Sequence, residues 1–275
     1  MRKVWRGLAA DPLARVGFVL LAVLVVFNAV LPLLPVGQPD EVGYAARFAP
    51  PAWNLPFGAD NLGQPILARV AEGMRMTFLL ASLSVLISGA IAAFLSVSAT
   101  YAGGLADEGS NRIADILFAF PPILLGMLVV AILQPGVTSA MIVIAAISMP
   151  PMMRVVRAET LQIMRRDFVI SAEIAGVGFL SRVVTHLLPN LAEVILIQMV
   201  YAISIGMLTE SALSFLGIGV QPPTASLGSM LRDGIIYLEI APWMVLFPGL
   251  ALALSIIGVN LLGDGLRRML RPGVF

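Results

Sequence analysis

The stretch FVISAEIAGVGFLSRVVTHLLPN, residues 168 to 190, decides how this sequence is read. It is half polar: just after Asp167, Glu173, Arg182 and His186 interleave with apolar residues, Gly176 and Gly178 interrupt it, and Pro189 closes it. On both sides the chain is a series of apolar blocks of about 20 residues, the length a helix needs to cross the hydrocarbon core of a bilayer. A polar insertion between such blocks is a surface loop. The fold then turns on how many blocks there are and on which side this loop lies.

Of 275 residues, 59% are hydrophobic and only 12% charged, and the mean hydropathy is +0.96. That is far from a soluble domain. Strand-length alternation is absent, so the expectation is an all-α polytopic membrane protein, not a barrel. Six apolar segments stand out, at 16–36, 76–101, 113–133, 137–153, 187–209 and 241–263. Pro121 with Pro122, and Pro248, are read as tolerated inside spans. The fourth segment runs into Met149-Pro150-Pro151 and is expected to continue as a kinked helix. The first is too long for a signal-peptide core and lacks a small-residue cleavage site, so it reads as a retained anchor. The organisation expected is an N-terminal tail, first helix and external segment over 1–75, a five-helix core over 76–263 with a cytoplasmic loop at 154–186, and a tail over 264–275.

With the N-terminus in the cytoplasm, Arg2, Lys3, Arg6, Arg15, Arg112, Arg154, Arg157, Arg165, Arg166, Arg182, Arg267, Arg268 and Arg271 fall inside. Only Arg47, Arg69, Arg75 and Arg232 fall outside. That asymmetry is the positive-inside pattern and places both termini and the 154–186 loop in the cytoplasm.

The net charge of +1 argues against nucleic acid as a partner. With Lys3 the only lysine, no phosphate-binding G-x-x-x-x-G-K-[ST] loop exists. One histidine and no cysteine exclude the usual zinc pairs and make a histidine triad a poor reading. His186 reads as a loop residue. Asp115, Glu193 and Glu210 are placed near span ends, where they reach water or a partner arginine. Asn28, Gln198 and Asn260 read as interhelical hydrogen-bonders, and Ser88, Gly89, Ala90 and Ala92 as a close-packing surface.

In the loop, Phe168, Ser171, Ala172, Ala175 and Phe179 recur at helical spacing. The expected shape is a short helix, a turn at Gly176 to Gly178, and a second short helix to His186, with Pro189 in the first turns of the fifth span. Such a knob fits a groove on a cytoplasmic partner. Ala172 and Gly176 are then small because the partner comes close.

These residues resemble a family: the inner-membrane permease subunits of ABC importers of the dipeptide, oligopeptide and nickel class, and specifically the second, shorter subunit of each pair. The family's coupling loop reads E-A-A-x-x-x-G followed by L-P-N. Here Gly176 stands thirteen residues before Pro189, and Leu188-Pro189-Asn190 match. Pro56 to Gly63, Tyr101 to Gly104 with Asp107, Arg112, Asp115 and Phe120-Pro121, Glu210 to Gly219 with Pro222-Pro223, and Asn260 to Arg267 are similar to its other motifs, in the same order. The resemblance implies a type I ABC importer permease fold in a bacterial or archaeal inner membrane. It implies a homologous permease as heterodimer partner, two ATP-binding subunits, and an extracytoplasmic solute-binding protein that docks on 37–75 and 210–240. ATP and magnesium would be bound by the ATPase subunits, with no cofactor, metal or catalytic residue in this chain. Ile170, Ser171, Ala172, Gly176, Arg182 and Pro189 would form the ATPase-coupling loop, and Ile170 occupies the place of the family's leading glutamate. Gln64-Pro65, Leu227 and Arg271 also depart from the pattern. These departures suggest the nickel or metal-chelate branch beside peptide as solute. A secondary transporter driven by an ion gradient is the alternative reading. It would need inverted repeats and buried carboxylates.

Overall fold

The structure, a computed structural model, describes residues 12–270. The expectations placed on Arg2, Lys3, Arg6 and Arg271 lie outside them. The described residues form nine main helices: α1 (Pro12–Val30), α2 (Ile66–Ala102), α3 (Gly104–Ala119), α4 (Pro122–Leu133), α5 (Val137–Ile163), α6 (Asp167–Ile174), α7 (Phe179–Phe215), α8 (Leu227–Ile235) and α9 (Trp243–Leu270). No named strand occurs among them; two isolated bridges, Ala52 with Leu55 and Ala59 with Pro65, pin the segment before α2.

Five helices, α1, α2, α5, α7 and α9, are long and apolar enough to cross a membrane, and a sixth crossing is available if α3 and α4 count as one bent span. The span expected over 113–133 is broken at the prolines read as tolerated inside it: α3 and α4 meet at 93°. Pro121 and Pro122 both lack the N–H that helix continuation requires, and a residue before proline is driven to extended backbone, as Phe120 is at φ −90°, ψ 126°. At 1.5 Å per residue the twelve residues of α4 reach only about 18 Å, too short to cross alone. Pro150 and Pro151, by contrast, stay inside α5, which runs on to Ile163 as expected. Just past the prolines the Ser96 hydroxyl on α2 donates to the Met153 carbonyl at 2.9 Å, tying the two helices together.

Two helices extend beyond the apolar segments read from the sequence. Helix α2 starts at Ile66, within the segment expected to be external, and α9 stays helical to Leu270. Side chains explain the early start. Asp60 accepts the amides of Leu62 and Gln64 at 2.8 and 2.9 Å and approaches Arg69 at 3.6 Å, so the chain is already ordered where it turns into α2.

Helix α2 runs through the middle, packed on α5 and α7. Its contacts are made by small residues, as membrane helices require without a hydrophobic drive between them. Of the expected close-packing surface, Ser88, Gly89 and Ala92 are buried and Ala90 is exposed. A Cβ on Gly89 would reach the methyls of Met199 at 3.1 Å and Met152 at 3.3 Å. Helix α1 lies at the periphery and leans on α9, where a Cβ on Gly265 would collide with Ala14 and one on Gly17 would meet Leu261 at 2.7 Å.

Candidate functional site

Residues 164–187 leave α5, form α6, turn and enter α7. The turn is dictated by Gly176, whose φ of +76° lies in the left-handed region. Its amide donates to the Glu173 carbonyl and that of Val177 to the Ala172 carbonyl, at 3.0 and 3.1 Å. This paired closure caps the carbonyls of the last turn of α6 and needs a residue that tolerates positive φ. No atom outside its immediate neighbours comes within 4 Å of a Cβ built there. Within this chain, backbone conformation by itself accounts for this glycine, and the space around it is open to a partner. Gly176→Val is expected to speed amide hydrogen exchange at 176–177 about tenfold, and Gly176→Asn far less, because asparagine visits the left-handed region readily. Equal acceleration by both substitutions would restore size as the cause.

Beyond the turn, the second short helix expected to end at His186 is continuous with the fifth span. The corrected helix begins at Phe179 and passes through a π-helical stretch, Arg182–Leu187. Pro189 is the cause: it offers no N–H to the Thr185 carbonyl and crowds it. The slack is taken up by side chains. Thr185 donates to the Ser181 carbonyl at 2.7 Å, and the Asn190 amide donates to that of His186 at 2.6 Å.

The loop is anchored to the body rather than swinging from it. Val169, Val183 and Leu187 are buried in one apolar cluster with Val97 of α2, Val156 and Ile163 of α5 and Leu191. Ala172 is 8% exposed and belongs to this inner side. The expectation that it meets a partner does not hold. Arg182 approaches Glu173 of α6 at 3.0 Å, in an ionic contact not aligned as a hydrogen bond. Its guanidinium lies 5.1 Å from the ring centre of Tyr101 at the end of α2, and that ring stacks on Phe179 at 5.4 Å. Nearby, Arg157 grips Asp107 through two hydrogen bonds of 2.8 and 2.6 Å, and Arg154 pairs with Asp115 at 2.8 Å, as expected of an acidic residue near a span end.

With its inner side occupied, α6 shows apolar residues on the other. Ile170 is 45% and Ile174 83% exposed, one turn apart on the same face, and Phe168 and Leu180 are exposed beside them. Of the six residues assigned to the loop, Ile170 thus lies on the open face. Ala172 and Arg182 brace α6 from within, Gly176 turns it and Pro189 shapes the start of the span. Ser171 is exposed.

The opposite end holds a site that sequence reading missed. Glu210 has no exposed surface and no cation among the described residues, which corrects its placement near water or an arginine. Because α7 continues to Phe215 and the 216–227 segment folds over it, the carboxylate lies between α2, α7 and α8. Thr77 donates to one oxygen and Ser214 to the other, each at 2.6 Å. The same hydroxyls accept the amides of Leu227 at 3.4 Å and Val220 at 3.0 Å. One buried carboxylate thus fastens the segment after α7 to two helices. The spacing Glu210-x-x-x-Ser214 was a visible sign that both groups share a helix face. Elsewhere on the surface Trp53 is fully exposed, and Asp233 of α8 is exposed yet partly desolvated by its neighbours. Burial pushes the Asp233 carboxyl above the ordinary aspartate range, while Arg69 and Arg232 pull it back. Asn260 accepts the Ser204 hydroxyl at 2.8 Å, an interhelical bond as expected.

Residues 85–275 match a family model described as binding-protein-dependent transport system inner membrane component. The dipeptide transport system permease protein DppC of Haemophilus influenzae is 34% identical over 278 residues, 99% of this chain and 94% of its own length. The di/tripeptide transport system permease protein DppC of Pseudomonas aeruginosa is 35% identical over 99% of this chain and 92% of its own length. A putative peptide transport system permease protein of Brucella suis is 35% identical over 94% of this chain and 87% of its own.

Proposed function

The chain belongs to the family of binding-protein-dependent transport system inner membrane components, and from that premise we propose that it forms half of the translocation path of an ATP-driven peptide importer, in a bacterial inner membrane. The observation that carries the mechanism is α6. It is braced from inside by Val169, Ala172 and Arg182 and open outside at Ile170 and Ile174, so a force on its open face passes into α5 and α7 instead of bending a loop. A pair of ATPase subunits docking there would move those two spans together, as rigid elements packed around a shared core. The chain itself has no phosphate-binding loop, so ATP and magnesium belong to those subunits and a homologous permease completes the path. Trp53 and the 216–227 segment form the surface that meets a solute-binding protein. The loop end is the cytoplasmic one, in keeping with the arginine asymmetry.

Peptide is the solute class that supports itself best, because the named relatives are peptide permeases over nearly the whole chain. The metal-chelate reading of the departures gains no support from them. Reconstituted with its partner permease, ATPases and binding protein, the chain is expected to sustain uptake of a radiolabelled dipeptide that stops on ATP depletion with ion gradients held intact. Uptake that continues without ATP, and collapses with an ionophore, would make it a secondary transporter instead.

A further inference from the structure

Between α1 and α2 the helices diverge. A crevice of about 410 Å³ opens there, walled by Leu21, Leu24 and Val25 on one side and Phe78 and Leu79 on the other, with Ser255 of α9 at its floor. At its rim stands Arg75. Its Nε donates to the Asn28 side-chain oxygen at 3.0 Å and its Nη2 to the Asn28 carbonyl at 2.7 Å, in the last turn of α1. No carboxylate among the described residues pairs with it. Glu72, one turn earlier, faces elsewhere and takes the Ala225 amide at 3.4 Å. The guanidinium is therefore oriented by two hydrogen bonds yet keeps its full charge, exposed at the height where the apolar length of α1 ends.

An uncompensated cation on a spanning helix is costly unless something supplies the opposite charge. An apolar slot beneath a fixed cation matches one kind of molecule, an acyl chain carrying an anionic head. We propose that this crevice binds an anionic phospholipid, with one acyl chain between Leu24 and Phe78 and the headgroup phosphate on Arg75. A zwitterionic lipid fills the slot equally well but brings no net charge to answer the guanidinium. Inorganic phosphate brings the charge but nothing for the slot. The lipid would join α1, which leans chiefly on α9, to the central helix α2.

Native mass spectrometry of the delipidated full chain, titrated separately with dioleoyl phosphatidylglycerol and dioleoyl phosphatidylcholine, tests this. The first phosphatidylglycerol is expected to bind about fivefold more tightly, the contribution of one basic side chain at an anionic surface. Arg75→Gln should erase the preference and Arg75→Lys should keep most of it. Leu79→Trp, which fills the slot, should weaken both lipids, whereas Leu208→Trp on the exposed side of α7 should weaken neither. Unchanged unfolding midpoints confirm that the variants are folded, and retention of the preference in Arg75→Lys does so independently. Equal affinity for the two lipids, a preference that survives Arg75→Gln, or displacement of phosphatidylglycerol by inorganic phosphate would each overturn the proposal.

Discussion

Replacing Ile174 by aspartate is expected to cut ATP-driven uptake about thirtyfold while leaving the fold intact. Ile174 is the last residue of α6 and 83% exposed, so the folded chain loses almost nothing when it changes. Surface substitutions of this kind stay within about 0.5 kcal/mol. In the docked state proposed above the same side chain is buried with Ile170. Contact residues at the centre of an interface contribute about 2 kcal/mol or more, and 2 kcal/mol is a factor of about thirty. Aspartate adds the cost of desolvating a charge. The measurement is paired: uptake by the reconstituted importer and the detergent unfolding midpoint of the chain. Because an isoleucine occupies the place of the family's glutamate, wild-type coupling should also change little as salt screens charges. Normal uptake by Ile174→Asp would remove α6 from the coupling path.

Glu210→Ala is expected to destabilise the chain by about 3 kcal/mol, since removing a buried acceptor leaves its donors unsatisfied, at about 1 to 3 kcal/mol each. Here the partners are the hydroxyls of Thr77 and Ser214, each bonded at 2.6 Å and neither able to reach water once the carboxylate is gone. Their loss should also loosen the amides of Val220 and Leu227, exposing the 216–227 segment to protease. Glu210→Gln keeps an acceptor of the same shape, and rotating hydroxyls adapt to the new amide, so its cost should be less than half as large. A Glu210→Ala variant with an unchanged unfolding midpoint and an uncut segment would show that the carboxylate fastens nothing.

Much of this was legible in the one-dimensional pattern. Apolar blocks of bilayer length follow from the cost of burying unpaired backbone in lipid, and that rule needs no knowledge of neighbours. The turn at Gly176 was legible too, since glycine is the residue that left-handed backbone favours. The reason first attached to it, a close partner, is a tertiary statement that no one-dimensional pattern carries. Pro121-Pro122 and Pro150-Pro151 show the same limit from another side. Both pairs lack the same N–H groups, yet one ends a helix at a right angle and the other lies within a continuous α5. For Pro150-Pro151, packing against α2 and α7 holds the helix continuous.

What the sequence determined by itself was the class, the approximate number of crossings and the side on which the arginines gather, because each depends on composition along short windows and on transfer from water to lipid. What the tertiary structure alone decided was direction: that Ala172 faces inward and Ile174 outward, that Glu210 meets hydroxyls instead of an arginine, and that Arg75 stands over an apolar slot with no carboxylate paired to it among the described residues. A helix exposes all its faces to sequence reading equally. Only packing against α2 and α5 chooses which face of α6 is left for a partner, and that choice comes from contacts between residues as distant in sequence as Val97 and Leu187.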